Sequence, residues 1–396
     1  MDAFTTPSNW QRVRLGDICE IGNGGAYETL IVENGDFKLI SLNSIDIDGN
    51  LKNTMKRVNF YDNSLKQDDI VMVLSDVAHG DFLGLCAVIP SNDYVLNQRM
   101  GRLRKRNDCI NILFLRLYIN ANQKYFKMQG QGSSQLNLSK KAIEDFEILL
   151  PPLDEQIAIA NILSDVDRYL YSLRALILKK ESVKKALSFE LLSQRKRLKG
   201  FNQAWQRVRL GDICEIGNGG AYETLIVENG DFKLISLNSI DIDGNLKNTM
   251  KRVNFYDNSL KQDDIVMVLS DVAHGDFLGL CAVIPSNDYV LNQRMGRLRK
   301  RNDCINILFL RLYINANQKY FKMQGQGSSQ LNLSKKAIED FEILLPPLDE
   351  QIAIANILSA LDSEIISLKN KKRQFENIKK ALNHDLMSAK IRVLKK

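Results

Sequence analysis

The most regular hydrophobic pattern lies in residues 159–191 and 354–386, where apolar side chains return every three or four residues. That spacing predicts two long helices, each burying one apolar stripe in a coiled coil. The proline pairs at 151–152 and 346–347 suit the first turn of each helix, which could then run about 40 residues, or roughly 60 Å. The stripes consist of Ile159, Leu163, Val166, Leu170, Leu173, Ile177, Leu187 and Leu191, and of Ile354, Leu358, Leu361, Ile365, Leu368, Phe375, Leu382 and Leu386.

Lysines interrupt both stripes, at Lys180 and Lys184 in the first and at Lys372 and Lys379 in the second. A charged side chain at a seam position weakens helix pairing, so we expect an imperfect coiled coil. The simplest fold pairs the two helices with each other, in antiparallel orientation.

The stretches that precede the helices contain short strand patterns with turn residues between them. The predicted strands are residues 13–21, 70–74, 86–89, 94–96 and 146–150. Residues 112–128 have the apolar stripe of one amphipathic helix. These elements predict a mixed α/β domain whose strand order cannot be deduced.

This domain is present twice, because residues 10–164 recur without change as residues 205–359. A repeat of this length is a duplicated domain rather than a solenoid unit. The two segments that follow differ in sequence but align without gaps. We therefore predict an α/β fold with domains at 1–150 and 201–345 and spacer helices at 151–200 and 346–396. The order domain, helix, domain, helix favours pseudo-twofold symmetry.

Polar and glycine-containing loops supply side chains suited to DNA. Amides and hydroxyls bind base edges, and arginines bind phosphates or guanine. In the first copy we select Asn23, Gly24, Tyr27, Ser75, His79, Arg99, Arg102, Arg104, Gln131, Ser133, Ser134 and Gln135 as candidate DNA contacts. Their counterparts in the second copy are Asn218, Gly219, Tyr222, Ser270, His274, Arg294, Arg297, Arg299, Gln326, Ser328, Ser329 and Gln330.

Each of these segments also has a purely structural interpretation. The glycine-rich loop at 22–27 could be a flexible turn, and the loop at 129–137 could cap the helices beside it. Alternation in the basic stretch at 96–106 predicts a strand with Arg102 and Arg104 on one face. That face suits phosphate contacts, or the stretch is a solvated edge strand.

The net charge of +7 is unevenly distributed. Each copy of the repeat holds 17 basic and 19 acidic residues, whereas residues 165–204 and 360–396 each hold 10 basic and 4 acidic ones. A nonspecific DNA-binding domain carries a basic surface. These domains must rely instead on local patches, base contacts or a basic partner, which points to a subunit of a complex.

Sequence motifs for chemistry are missing. No Walker A loop, methyltransferase Asn-Pro-Pro-Tyr motif, G-x-S-x-G elbow or H-E-x-x-H pair occurs. One histidine per copy is a weak metal ligand, so no metal is expected. The cysteines Cys19, Cys86, Cys109, Cys214, Cys281 and Cys304 form no C-x-x-C pair, so buried free thiols are expected. The absence of a secretion signal or membrane-length apolar run favours the cytoplasm and no membrane partner.

Residues 137–163, with Pro-Pro-Leu-Asp-Glu-Gln at 151–156, recur at 332–358. They resemble the end of a target-recognition domain and the start of the following helix in type I restriction-modification specificity (S) subunits. Residues 10–18 and 97–104 resemble the same family. The resemblance covers nearly the whole chain.

The resemblance implies a subunit that reads a bipartite DNA target, one half-site per domain, with the paired helices spanning the gap. It implies two methyltransferase (M) subunits that use S-adenosylmethionine, and two restriction (R) subunits with ATP-dependent translocase activity. Catalytic residues and cofactors would lie in those partners and none in this chain. The family's base-contacting residues vary between members, so our candidate contacts come from loop chemistry.

Two identical domains depart from the common pattern of this family. If a twofold axis relates them, both read the same half-site on opposite strands, which predicts a palindromic target. The alternatives are a stand-alone DNA-binding regulator with two domains on a spacer, an enzyme with an unfamiliar active site, and a pure scaffold.

Overall fold

The computed structural model describes residues 7–77, 80–272 and 275–393, and the chain divides into two compact units. Unit 1 comprises Met1–Arg174 with Asn370–Lys396, and unit 2 comprises Ala175–Lys369. Each unit therefore contains one copy of the repeat and part of each long helix. The strands and helices of the first copy recur in the second 195 residues later.

The strands of the first copy are β1 (Gln11–Arg14), β2 (Cys19–Asn23), β3 (Phe37–Ile40), β4 (Arg57–Val58), β5 (Ile70–Val73), β6 (Ser75–Val77), β7 (Cys86–Val88), β8 (Tyr94–Leu96), β9 (Met100–Lys105), β10 (Gln135–Asn137) and β11 (Glu147–Leu150). Its helices are α1 (Leu15–Ile18), α2 (Ile112–Ala121), α3 (Gln123–Gln129), α4 (Lys140–Glu144) and the long α5 (Leu153–Leu192).

The second copy has the strands β12 (Gln206–Arg209), β13 (Cys214–Asn218), β14 (Phe232–Ile235), β15 (Arg252–Val253), β16 (Ile265–Val268), β17 (Ser270–Val272), β18 (Cys281–Val283), β19 (Tyr289–Leu291), β20 (Met295–Lys300), β21 (Gln330–Asn332) and β22 (Glu342–Leu345). Its helices are α6 (Leu210–Ile213), α7 (Ile307–Ala316), α8 (Gln318–Gln324), α9 (Lys335–Glu339) and the long α10 (Leu348–Met387).

A four-stranded antiparallel sheet in the order β2–β9–β5–β7 lies at the centre of the first copy. All four residues of β5 are buried. Ile70 and Met72 belong to one apolar core, which includes residues of α2 and α3, and Val71 and Val73 belong to another. Successive side chains on a strand point to opposite faces, so a strand covered on both faces is buried throughout.

Three smaller sheets complete the domain. One sheet has three strands in the order β4–β3–β8, and its pair β3–β8 is parallel. Strand β1 pairs with β11, and β6 pairs with β10, both antiparallel. The second copy has the corresponding sheets β13–β20–β16–β18, β15–β14–β19, β12–β22 and β17–β21.

The two long helices begin directly after their proline pairs and each spans 40 residues, which confirms the prediction. The carbonyl oxygen of Pro152 accepts the backbone N–H groups of Glu155 and Gln156 at 2.9 and 3.0 Å. Proline thus occupies a position just before the helix, where it costs no helical hydrogen bond.

Within unit 1, the first part of α5 packs antiparallel to the last part of α10. Lys379 forms an ion pair with Asp167 at 2.5 Å. Glu376, which precedes Lys379 in α10, pairs at 3.3 Å with Arg174, which follows Asp167 in α5. Residue numbers therefore rise along one helix as they fall along the other.

Within unit 2, the last part of α5 packs against the first part of α10 in the same way. Lys184 forms an ion pair with Asp362, and Glu181 pairs with Lys369 at 2.8 Å. All four lysines predicted to interrupt the seam have acidic partners. Lys180, Lys184 and Lys379 pair with residues of the facing helix, and Lys372 pairs with a residue of its own helix, α10. These pairs compensate the charges within the seam.

The end of each long helix completes an apolar core. In unit 1, Leu386 and Met387 from the end of α10 are buried in the core that contains Phe114 of the first copy. In unit 2, Leu191 and Leu192 from the end of α5 take the corresponding places. Each domain core therefore needs side chains from a segment outside its own copy of the repeat.

Two predicted elements are wrong in detail. The strand predicted at 13–21 is interrupted by α1, because Leu15 and Ile18 are both buried and their spacing of three suits a helical turn. The helix predicted at 112–128 is two helices. Asn122 separates them, and its side chain donates to the carbonyl oxygen of Tyr118 at 2.9 Å.

The expectation of buried cysteines holds for four of the six. Cys109 and Cys304 are exposed, because they lie in the turn that precedes α2 and its counterpart α7. Burial raises the pKa of Cys19 and Cys214 to about 12, which keeps these thiols protonated and unreactive.

Among the described residues, one helix, α10, is long and apolar enough by length and composition to cross a membrane. Sequence reasoning found no such stretch, because charged residues divide it. In the structure, Ile354, Ala355 and Leu358 of this helix lie in the apolar core of unit 2. Their hydrophobic character thus serves packing against the domain.

Candidate nucleic-acid interface

The glycine-rich loop after β2 is held firmly against the turn between β8 and β9. Gly24 donates its backbone N–H to Met100 at 3.1 Å, and Gly25 donates to Leu96 at 3.0 Å. A Cβ atom on Gly24 would collide with the carbonyl oxygen of Asn97, so only glycine fits here. These contacts attach the loop to the neighbouring turn, and they favour a defined loop over the alternative of a flexible turn.

Asn97 is the buried centre of this arrangement, with a relative exposure of 1%. Its side-chain oxygen accepts the backbone N–H of Tyr27 at 3.1 Å, and its side-chain nitrogen donates to Glu28 at 2.7 Å. Both ends of the amide are thus satisfied, as a buried polar group requires. The contacts fix the glycine-rich loop relative to the β8–β9 turn.

Tyr27, a predicted DNA contact, has its hydroxyl engaged by the protein. The hydroxyl donates to Asp62 at 2.9 Å, and the ring packs edge-on against Phe60. Burial, and then the hydrogen bond to Asp62, raise the pKa of Tyr27, so the hydroxyl remains a donor. This residue positions the loop by contacts that the structure already contains.

The turn between β8 and β9 presents Gln98 and Arg99 to solvent. The backbone N–H of Gln98 donates to Gly25 at 2.6 Å, and the carbonyl oxygen of Arg99 accepts from Leu74 at 2.9 Å. Arg99 has a φ of +69°, a left-handed conformation that is uncommon for residues other than glycine. The surrounding hydrogen bonds hold this conformation in place.

Beside this turn lies the antiparallel strand pair β6–β10. Strand β6 follows β5 in the chain, and β10 lies in the segment after α3. Ser75 donates its hydroxyl to Asn137 at 2.6 Å, and the backbone N–H of Leu138 donates to Leu74 at 2.8 Å. Ser75 is consequently buried, whereas Gln131, Ser133 and Ser134 are exposed.

Hydrogen bonds therefore bring most of the predicted contacts of each domain to one edge. In the first copy these residues are Asn23, Gly24, Tyr27, Ser75, Arg99, Gln131, Ser133, Ser134 and Gln135. In the second copy they are Asn218, Gly219, Tyr222, Ser270, Arg294, Gln326, Ser328, Ser329 and Gln330. We call each set the loop edge. The predicted contacts His79 and His274 lie outside the described residues.

Arg102 and Arg104 lie farther along β9, away from the loop edge. Arg104 binds Asp69 through two nitrogens at 2.8 and 2.6 Å, and Asp69 is buried. Arg102 pairs with Glu20 and donates to the carbonyl oxygen of Ser64 at 3.2 Å. Their guanidinium groups are thus engaged within the protein. The phosphate contacts of Arg102 and Arg104 stay a prediction, and these ion pairs argue against them.

The second copy repeats this arrangement. Arg299 binds Asp264 at 2.8 and 2.6 Å, and Arg297 pairs with Glu215. The alternative interpretation of a solvated edge strand is wrong for both copies. Strand β9 lies between β2 and β5, and β20 lies between β13 and β16.

Sequence reasoning missed Gln98 and Asn137, which are exposed at the loop edge, and the central role of Asn97. The signal was present in the polar residues between the apolar ends of β8 and β9. Asn97 could not be distinguished from its neighbours, because its burial depends on Tyr27 and Glu28, which lie about 70 residues earlier.

A family model for the type I restriction modification DNA specificity domain matches residues 7–181 and again residues 202–377. The chain belongs to this type I specificity family. The two matches correspond to the two copies of the repeat with the first part of the helix that follows each.

Relatives agree with this family over the whole chain. The type I restriction enzyme MjaVIII specificity subunit of Methanocaldococcus jannaschii is 26% identical over 419 residues, which cover 99% of this chain and 95% of the relative. The crystal structure of a type I restriction-modification S subunit from M. genitalium has a TM-score of 0.67 at 17% identity, covering 97% of both chains.

A further solved structure, described in terms of complex assembly and conformational transition of the type I R-M system, has a TM-score of 0.57 at 16% identity. It covers 97% of this chain and 99% of the other. At these identities the two structures show a shared fold and no more. The predicted fold class of mixed α/β domains with two long paired helices is confirmed.

Proposed function

We propose that this type I specificity chain directs a restriction-modification complex to a bipartite DNA target, with one loop edge reading each half-site. The observation that carries the proposal is the loop edge itself. In both copies it gathers exposed amide, hydroxyl and guanidinium groups on a backbone fixed by hydrogen bonds. Such groups bind base edges in the major groove, and rigid loops bind them with little loss of entropy.

The target we propose is palindromic, of the form half-site, gap, inverted half-site. Identical readers that approach a duplex from opposite directions read the same sequence on opposite strands. The identity of residues 10–164 and 205–359 supports this proposal, as does the antiparallel course of α5 and α10 within each unit. We propose domains at 1–150 and 201–345, and spacers at 151–200 and 346–396.

We further propose that the chain is not catalytic and that it acts as a scaffold in the cytoplasm. Two methyltransferase subunits would supply S-adenosylmethionine-dependent methylation, and two restriction subunits would supply ATP-dependent translocation and cleavage. The net acidic charge of each repeat supports this division of labour. A reader without bulk positive charge needs a partner that shares the DNA.

Co-expression with a methyltransferase subunit tests this function. We expect the two proteins to purify together and to transfer methyl groups from S-adenosylmethionine to DNA, whereas either protein alone leaves DNA unmethylated. Methylation by this chain alone would contradict the proposal and favour the enzyme alternative. Sequence-specific DNA binding without any association with the methyltransferase would favour the stand-alone regulator.

A further inference from the structure

The arginines of the first copy differ in whether the protein already uses their side chains. Eight arginines lie between residues 10 and 152. Four form ion pairs: Arg12, Arg14, Arg102 and Arg104. Three donate to backbone carbonyl oxygens: Arg57, Arg106 and Arg116. Among the described residues, Arg99 is the one arginine of this domain whose guanidinium has no hydrogen bond or ion pair.

The second copy shows the same distribution within the part of the chain that the structure describes. The guanidinium of Arg294 forms no hydrogen bond or ion pair, although its charge interacts with Glu223. The other arginines between residues 205 and 347 are engaged in such contacts. The free guanidinium is therefore a property of this position. It does not depend on the divergent helices.

The backbone at this position is held in an unusual conformation. Arg99 and Arg294 both have a φ of +69°, which places each side chain at the tip of the β8–β9 turn or its counterpart. Gly24, Gly25 and the buried Asn97 brace the turn on one side, and Leu74 binds the Arg99 carbonyl on the other. A strained residue persists only where its surroundings enforce it, and such residues concentrate at functional sites.

A free guanidinium on a rigid exposed turn suits one base in particular. Arginine forms two parallel hydrogen bonds to the O6 and N7 atoms of guanine, and this is the commonest specific contact in the major groove. A phosphate contact would need no fixed turn, because phosphates line the whole backbone and carry no sequence information. Because the turn that carries Arg99 is braced from both sides, it favours the directional contact with guanine over a phosphate contact.

We propose that Arg99 and Arg294 each read a guanine in the half-site of their own domain and so determine one base pair of the specificity. This inference rests on the proposed function. Arg102, Arg104 and their counterparts would instead stabilise the sheet through their ion pairs. The guanine follows from the chemistry of a free, directed guanidinium beside the exposed amides and hydroxyls of the loop edge.

The duplication allows a sharp experiment, because one copy can be changed while the other serves as an internal reference. The full chain carrying Arg99→Ala, with Arg294 intact, is co-expressed with the methyltransferase subunit. Methylated motifs are then mapped by long-read sequencing. Rates are measured on duplexes in which each base pair of one half-site is substituted in turn.

With the wild-type chain, substitution of the guanine is expected to lower the methylation rate about ten- to a hundred-fold. With Arg99→Ala, we expect one half-site to lose its preference at that single position while the other half-site keeps it. The motif then becomes asymmetric. Changing both Arg99 and Arg294 to alanine should make both half-sites degenerate at the same position.

Two further variants separate base reading from loss of charge or of folding. Lys52→Ala removes the same charge from an exposed residue on another loop, and should leave the motif unchanged. Arg99→Gly removes the side chain while suiting the positive φ, so it should fold as well as wild type and yet give the same degenerate half-site.

The inference is overturned if Arg99→Ala and Arg99→Gly both retain the full wild-type motif. This holds even if their methylation rates fall, provided that the rates fall equally on all sequences. That result would mean a phosphate contact or none. A wild-type chain that directs no methylation would instead refute the proposed function itself, so the two failures can be told apart.

Discussion

At the scale of single residues, the structure separates arginines that look alike in sequence. Arg99, Arg102 and Arg104 all lie in one basic stretch, and alternation predicted the last two as phosphate contacts. Arg104 instead neutralises Asp69, whose side chain is only 3% exposed. No pattern within the stretch reveals this, because Asp69 lies 35 residues earlier in the chain.

The Arg104–Asp69 pair gives a prediction for stability. Arg104→Ala leaves a buried carboxylate without its cation, so we expect the free energy of unfolding to fall by about 3 kcal/mol. Chemical denaturation monitored by circular dichroism measures the change.

Arg99→Ala is the matched control, because this arginine lies five residues earlier and has no ion pair among the described residues. Its effect on stability should stay within about 0.5 kcal/mol. Equal stability of Arg104→Ala and wild type would show that Asp69 does not depend on this arginine.

At the scale of elements, the long helices were the most predictable feature. Their proline pairs and apolar stripes are local signals, and both helices begin where the prolines predict. The strand predicted at 70–74 and the one at 94–96 also match β5 and β8 within one residue. The sheet order could not be predicted, since β9 pairs with β2 and β5, which come from distant parts of the chain.

In the loop edge, too, local features could be predicted from the sequence and contacts between distant residues could not. Loop composition located the polar segments of the loop edge, because glycines and amides are local features. Which side chains are free depends on tertiary contacts, such as those of Tyr27 with Asp62 and of Ser75 with Asn137. Sequence therefore predicted the loops that form the edge, while the structure was needed to distinguish positioning residues from available ones.

The ends of the long helices give a second stability prediction. Leu386, at the end of α10, is 1% exposed in the core of the first copy. Leu386→Ala should lower the free energy of unfolding by about 3 kcal/mol, because it removes buried methyl groups and leaves a cavity. Thermal or denaturant unfolding of the full chain measures the loss.

Ile378→Ala provides the control, because Ile378 lies on the same helix and is 49% exposed. We expect a change within about 0.5 kcal/mol for this variant. If both variants lose the same stability, the end of α10 is not part of the domain core.

At the scale of the whole molecule, each compact unit is built from both halves of the chain. Unit 1 takes Asn370–Lys396 from the end of the chain, and unit 2 takes the equivalent residues from the end of α5. Residues 1–204 alone contain one domain and the helix end that completes the other domain. To complete its core as in unit 1, the domain of such a half-chain would take the helix end of a second half-chain.

We accordingly predict that a chain of residues 1–204 is a homodimer in solution. Leu191 and Leu192 of each copy would fill the places that Leu386 and Met387 occupy in unit 1. Light scattering after size-exclusion chromatography should give twice the mass of the half-chain. A folded monomer would contradict the exchange of helix ends between the two halves.

Two identical readers in one chain should specify a palindromic bipartite target. The most direct measurement is the methylated motif, mapped by long-read sequencing of DNA from cells that express the wild-type chain with its methyltransferase subunit. We expect a half-site, a gap of fixed length and the same half-site inverted. An asymmetric motif, or a single half-site without a partner, would contradict it.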